Sequence, residues 1–472
     1  MRHRVLGILA ALFSVAAQAP VAAAPEPAAA AGYDFKGMPD MSDFDPATWT
    51  SPTGDTIKIA IVASFSGPAA LVGQVYWASA AWAAHDINKR GGIVVDGKKK
   101  LVELIKADHM SKPDQAKKVT ERMVLQEKVN ILWGTDGSNL QKIINETANK
   151  YKVIAINTAS LSDDLQDATN FSRYAFQSSM SADQLGRGLA YYFGQERKRE
   201  KKFYILNQDY SFGHVLAEGF KKGLKEYYPQ AQLVGEDYHK LFLTDFAPYL
   251  EKIKASGAEV VFTGDWIPDA ANLLKQARQT GVKLPFAHIF MDEPNFLTEV
   301  GIEGTKGLVQ ISQYGVEGEA FKTPEQIKYY KNWNDLWHNK WKTPPFNTVL
   351  FQHPAGNIGS YIEQTEWLFS VIARAKSLDP EKIIKVWEGD SYRFTNGKVL
   401  KMRACDHKAI QELHIVEFVP PGEQKQSFNI RPYYWNANYS SAGPVKAVPT
   451  KAVLPWMDPN LDRCKGKDPA GN

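Results

Sequence analysis

Cysteine is nearly absent from this chain: Cys405 and Cys464 are the two thiols in 472 residues. Two cannot build a thiolate metal cluster or a many-bridged scaffold. In an oxidising compartment an even pair predicts one disulfide. It would close a loop of about 60 residues and tie the C-terminal tail to the body, for ~4 kcal/mol in the chain-entropy model. The ten histidines show no metal-ligand spacing. No His-Glu-x-x-His pair, Gly-x-Ser-x-Gly elbow or phosphate loop occurs. Cys405-Asp406-His407 places a nucleophile, an acid and a base side by side, but adjacency in sequence is not triad geometry, and a disulfide would consume the thiol. These absences predict no enzyme, no metal and no cofactor. Charge of one sign is also lacking, with 56 basic against 52 acidic residues and a formal net charge of +4. No clustered basic stripe marks a nucleic-acid partner. The runs 98–100 and 197–202 each precede a strand and read as solvated turns. No apolar run is long enough to span a bilayer.

What is present begins with a leader. MRHR precedes VLGILAALFSVAA and then alanine-rich sequence, which is a charged n-region, an apolar h-region and small residues suited to signal peptidase. Cleavage falls after Ala19 or Ala24, so residues 1–24 are assigned as a signal peptide. No cysteine lies near the leader to carry a lipid. The mature chain is expected to be exported to a periplasm as a soluble monomer. Residues 25–55 lack periodicity and read as a linker, packed through Phe44 and Trp49.

From residue 56 to 160 the chain alternates strictly. TIKIAIVASF, KKLVELIKAD, VNILWGT and VIAINTA read as strands; GQVYWASAAWAAHDINK, PDQAKKVTERMVLQEK and LQKIINETANKYK read as helices. The strand runs are short and rich in Val and Ile, and the helix runs carry apolar residues at three- and four-residue spacing. Such alternation predicts right-handed βαβ units and a buried parallel sheet. These sheets bind ligands at the carboxyl ends of their strands. Three of those ends carry small polar residues: the loop with Ser64 and Ser66, the loop from Gly134 to Asn139, and the loop from Asn157 to Ser160. Asp96-Gly97 predicts a tight turn between two of the elements.

A second βαβ series follows an extended segment, FSRYAFQSS. Its strands are KKFYILNQ, AQLVGEDY, AEVVFTGD and PFAHIF. GLVQISQY reads as a strand returning to the first lobe. Residues 392–398 read as a hairpin and 414–419 as a final alternating strand. The length fits two α/β lobes better than one domain. The tail beyond Pro420 is rich in Pro, Asn, Tyr and Trp and is expected to wrap the surface.

The ordered series IKIAIVASFSGPAALVGQ, AAHDINKRGGI, DHMSKPDQAKKVTERMVLQEKVNILWGT, VIAINTAS, YSFGHVLAEGFKKGL and AANLLKQARQTG resembles the periplasmic binding proteins for leucine, isoleucine and valine. The likeness covers residues 56–419. It implies a type I solute-binding protein of an ABC importer, with two Rossmann-like lobes joined by a three-strand hinge. By that likeness lobe 1 is 56–177 plus 305–387, lobe 2 is 178–304 plus 388–419, and 420–472 is a surface tail.

Carried over by position, Asp136-Gly137-Ser138-Asn139 resembles the loop whose hydroxyl and backbone N–H hold a ligand carboxylate. Thr158, Ala159 and Ser160 resemble a second such loop. Free N–H groups at helix N-termini suit that role. Tyr210 resembles an aromatic contributed by lobe 2, and Asp292 and Glu293 fall where the family places an acid against a ligand ammonium. Bulky aromatics near the cleft, Phe65, Trp77, Trp133 and Trp266, depart from the amino-acid pattern, as does the Ser-Tyr-Ile-Glu run at Tyr361. Ser138 and Thr158 also suit helix N-caps, and Trp77 and Trp82 also suit a core.

The resemblance implies capture of a small carboxylate-bearing solute, a branched-chain or other amino acid or a small aromatic acid, by hinge closure. Its partners would be a membrane permease and ATPase. The alternatives are a sensor of the same fold reporting to a membrane receptor, a binder of a quaternary amine in an aromatic pocket, and an exported hydrolase.

Overall fold

The structure, a computed structural model, describes residues 30–312, 323–354, 356–423, 438–453 and 460–465. The leader assigned to 1–24 lies outside the described residues. Two sheets organise the chain. The first comprises β1 (Ile57–Ala63), β2 (Val102–Asp108), β3 (Ile131–Gly134), β4 (Ile154–Asn157) and β5 (Ala175–Gln177). Its order is β2-β1-β3-β4-β5, all parallel. Helices α1 (Ala70–Lys89), α2 (Pro113–Leu125) and α3 (Ser138–Tyr151) make the crossovers. The strands are buried along nearly their whole length, which is why they read as continuous Val/Ile runs rather than alternating ones.

The second sheet comprises β6 (Lys202–Gln208), β7 (Gln232–His239), β8 (Val260–Thr263), β9 (Phe286–His288), β10 (Val309–Ser312), β11 (Leu413–Val419) and β12 (Ser441–Val448). Its order is β7-β6-β8-β9-β10-β11-β12, parallel as far as β10 and antiparallel thereafter. Helices α4 (Ala182–Tyr191) and α5 (Ser211–Tyr227) cover one face, and α6 (Ala247–Ser256), α7 (Asp269–Gln279) and α8 (Pro294–Thr305) follow the strands of the other. Separate apolar clusters fill the two faces: one holds Phe203, Ile205, Leu216 and Phe220, the other Leu206, Leu250, Val261 and Leu274.

Three expectations are corrected here. Residues 309–312 do not return to the first sheet. Val309 and Ile311 point into the core of the second body, and β9 offers a parallel partner at Ala287 and His288. The hairpin Ser391–Arg393 and Val399–Met402 forms as expected, but the chain does not rejoin the second body at 388. Tyr392, Leu400 and Met402 lie in the first core, where Tyr392 stacks on Trp367 at 6.1 Å, and the hairpin pairs with Ala31–Gly32. The second sheet resumes only at Leu413. The tail, in turn, is more than a surface wrap. Residues 441–448 extend the second sheet beside β11, and Val453 is fully buried in its core.

Helices α9 (Pro324–Asn339), α10 (Gly356–Ala375) and α11 (Pro380–Trp387) pack with the first body. The expected linker anchors hold: Phe44 is fully buried against Trp82 and Trp341, and Trp49 packs on Trp77. The Asp96-Gly97 turn joins Ile93–Val95 to Lys98–Lys100. Among the described residues no helix is long and apolar enough to cross a membrane.

Candidate functional site

Each sheet has one place where the strand order reverses, and such a crevice lies open above the carboxyl ends of the two strands. In the first sheet it falls between β1 and β3, in the second between β6 and β8. At both, the helix after the first strand begins close against that strand's end. A Cβ on Gly73 would stand 2.0 Å from the Ser64 carbonyl oxygen, and one on Gly213 would stand 2.0 Å from that of Gln208. Only glycine permits that approach. At both reversals a side-chain hydrogen bond also spans the gap. Ser64 donates through its N–H and its hydroxyl to Asp136, at 3.1 and 2.7 Å. Trp266 donates its indole N–H to the Tyr210 oxygen at 3.0 Å.

A cavity of about 320 Å³ lies between these two strand-end sets. Asp136, Ser138 and Ser160 reach it from the first sheet; Tyr210, Trp266 and Asp292 reach it from the second. Glu293 is also on the wall. Gly137 turns the chain into α3 with φ 85°, and its carbonyl accepts from the N–H groups of Leu140 and Gln141. The N–H groups of Ser138 and Asn139 stand in the first turn, without carbonyl partners within the helix. The Ser138 oxygen accepts the Ser162 N–H at 3.3 Å, so its own proton is free to be donated. Ser160 donates its hydroxyl to the Thr135 carbonyl at 2.6 Å. It shapes the wall rather than offering a proton.

Behind Asp136 lies a buried polar network. The Ser111 N–H donates to Nδ1 of His109, so Nε2 carries the ring proton and meets the Thr135 hydroxyl at 2.6 Å. Burial lowers the His109 pKa, which keeps the imidazole in that neutral tautomer.

Enclosure in the cavity pushes Asp292 up to about 6, against the opposing hydrogen bond from the Gln310 amide at 2.5 Å. Glu293 is raised by burial as well, but its oxygens accept the N–H groups of Asn295 and Phe296 at 2.9 and 3.1 Å as the N-cap of α8. Burial raises the phenols of Tyr76, Tyr210 and Tyr361 and keeps them neutral donors.

Five residues expected at the site stand off the cavity wall. Ser66 donates its hydroxyl to Asp108 at 2.6 Å. Trp77 donates its indole N–H to the Pro46 carbonyl at 3.0 Å, and Lys106 covers its ring at 4.2 Å. Trp133 is fully buried behind the wall, bonded to Thr365 at 3.0 Å. Asn139 faces solvent on α3. Thr158 is stitched to β3, its N–H donating to the Gly134 carbonyl at 3.0 Å, while its neighbour Ala159 lines the cavity. Wall residues the expectations omitted include Tyr76, Gln310, His353, Tyr361 and Tyr439. Tyr76 was findable. Val72, Val75 and Tyr76 share one helical face of α1, and Trp77 lies a further 100° around it. The Tyr76 ring meets Tyr361 edge-on at 4.9 Å.

Comparisons with known proteins agree on one family. Residues 56–424 match the family model described as periplasmic binding protein. An amino acid binding protein of Pseudomonas aeruginosa is 31% identical over 235 residues, 49% of this chain and 59% of that protein. The match thus spans under two thirds of that relative's length. A periplasmic binding protein from Burkholderia mallei superposes with a TM-score of 0.70 at 19% identity, covering 88% of this chain and all of that one. A solute binding protein of an ABC transporter from Rhodopseudomonas palustris, solved with 3,4-dihydroxybenzoic acid, superposes with a TM-score of 0.66 at 18% identity, covering 84% and 100%.

Proposed function

This chain belongs to the periplasmic binding protein family, of the Leu/Ile/Val-binding kind, and from that premise we propose that it is the solute-capturing component of an ABC importer. The observation that carries the reading is the cavity walled by strand ends of both sheets, each at its own topological reversal. A solute seated there touches both bodies at once, so it favours the state in which they are closed over it. The protein works in the periplasm as a monomer. It hands its solute to a permease and ATPase at the inner membrane, and it breaks no bond.

The solute is a small organic molecule of the amino-acid or aromatic-acid kind. The first-turn N–H groups of α3 and the Ser138 hydroxyl are donors suited to a carboxylate. Asp292 is an acceptor suited to an ammonium. The apolar remainder meets Val75, Phe212, Trp266 and Phe290. Those four surfaces favour a bulky apolar body over a short polar one.

The test is a thermal-shift screen of the mature protein over amino acids, amines and aromatic acids, followed by X-ray scattering with the hit. A solute bound only by the folded form raises Tm by mass action. The expected result is a dose-dependent rise with a smaller radius of gyration at saturation. A ligand that binds without compaction would point away from capture by closure. No binder in the panel and no small molecule carried through native mass spectrometry would remove the reading.

A further inference from the structure

The cavity wall is charged with one sign. Asp136, Asp292 and Glu293 line it, and among the described residues neither lysine nor arginine does. The one imidazole among the described wall residues, His353, is held down to about 3 by burial and is neutral. An anion entering here would leave water for a wall on which no described lysine or arginine supplies a counter-charge, and burying an uncompensated charge is costly.

The place expected to receive a carboxylate is compromised as well. Asp136 stands in that loop, two residues before Ser138, and lines the same cavity. Its charge opposes the field of the α3 N-terminus, which would otherwise draw an anion. By contrast, a cation is served on several sides. Asp292 receives the Gln310 amide on Oδ2, which leaves Oδ1 without a donor from another side chain among the described residues. Tyr76, Tyr210, Trp266 and Tyr361 line the cavity, and aromatic faces attract cations. The Tyr210 hydroxyl already accepts the Trp266 indole proton.

We infer that the cavity is specific for an organic cation: an amine borne on an apolar or aromatic body, bound with or without a carboxylate, while the corresponding acid lacking the amine is refused. This rests on the solute-binding reading of the cavity and narrows it, since that reading admits aromatic acids and this one does not.

Matched trios test it on the intact mature protein by calorimetric titration. They are 2-phenylethylamine, phenylalanine and 3-phenylpropionate; tryptamine, tryptophan and indole-3-propionate; and isoamylamine, leucine and 4-methylpentanoate. In at least one series the amine should bind within tenfold of the amino acid or tighter, with the acid silent at a hundredfold higher concentration. Asp292→Asn should weaken that amine at least tenfold with Tm held within a few degrees; the wild-type trios decide the matter if that variant fails to fold. An acid that binds as well as its amine, or an amino acid that binds while its amine does not, overturns the inference and leaves solute capture standing. Silence of all nine overturns it too, and also counts against the capture reading.

Discussion

Trp266 and Tyr210, from the ends of two neighbouring strands, are joined by a 3.0 Å hydrogen bond that bridges the reversal point of the second sheet. Phenylalanine at 210 would keep the ring and remove the acceptor. The indole N–H would then be left without its partner, at about 1–3 kcal/mol if it stays desolvated. Tyr210→Phe is expected to weaken solute binding about tenfold, since ~1.4 kcal/mol is tenfold in affinity. Calorimetric titration measures the affinity and circular dichroism the melting. A variant that binds like wild type would show that the pair serves the fold and not the ligand.

Asp292 is expected to make binding depend on pH. In the ligand-free protein its carboxyl is raised to about 6 by enclosure, with Glu293 adding like charge and the Gln310 amide opposing. Its charge also reaches Tyr361 on α10. A bound ammonium favours the ionised carboxylate, so the ligand must displace a proton below that value. Affinity for an amine-bearing ligand is expected to be flat above about pH 7 and to fall up to tenfold per pH unit below 6, the limit for one linked proton. Titrations from pH 5 to 8 check this, and Asp292→Asn should flatten the curve. A wild-type profile flat down to pH 5 would remove Asp292 as the anchor.

The bond between Cys405 and Cys464, 59 residues apart, holds the last described segment of the tail. Around it the Ala168 N–H donates to the Leu461 carbonyl at 2.8 Å, Arg463 donates to the Cys405 carbonyl at 3.0 Å, and its guanidinium covers the Phe171 ring at 3.6 Å. Replacing both cysteines by serine is expected to cost about 4 kcal/mol by loop entropy, less whatever the remaining contacts retain. Thermal melting with and without reductant measures it, and intact mass after alkylation should find no free thiol before reduction. An unchanged Tm would show that the neighbouring contacts suffice.

The sequence disclosed the parallel sheets because buried strands leave an unmistakable run of Val and Ile, and the helices between them keep a 3.6-residue period. Strand ends facing the crevice pointed to Ser138, Ser160 and Trp266, and the family resemblance pointed to Tyr210 and the Asp292-Glu293 pair; all six line the cavity. Aromatic identity misled at Trp77 and Trp133. A large ring near a strand end satisfies a core as readily as a ligand, and one position along a helix turns the side chain by 100°. Strand pairing across long separations left no local mark. Nothing in VQIS states that its neighbour is Ala287 rather than a strand of the first body. The tail was hidden for the same reason: Tyr439 reaches the cavity, and residues 441–448 complete a sheet, through contacts set by strands far back in the chain.

Glu366 on α10 should make the fold less stable at alkaline pH. It is buried beside Trp367 in the first core, and desolvation lifts its carboxyl well above the usual range. Glu363, one turn away, and Asp86 add like charge, while the Arg90 charge offsets part of it. The folded protein therefore holds a proton that the unfolded chain releases above about pH 4.3. Its contribution is fully present below that value and is lost as pH rises through the higher folded pKa. Glutamine keeps the shape and cannot ionise. Glu366→Gln is expected to raise Tm at pH 8 by at least about 2 °C, to leave it nearly unchanged at pH 4.5, and to flatten the slope between them. Melting curves at both pH values decide it. A variant less stable than wild type at pH 8 would mean that the carboxylate itself is held by Arg90, and that desolvation is not the larger effect.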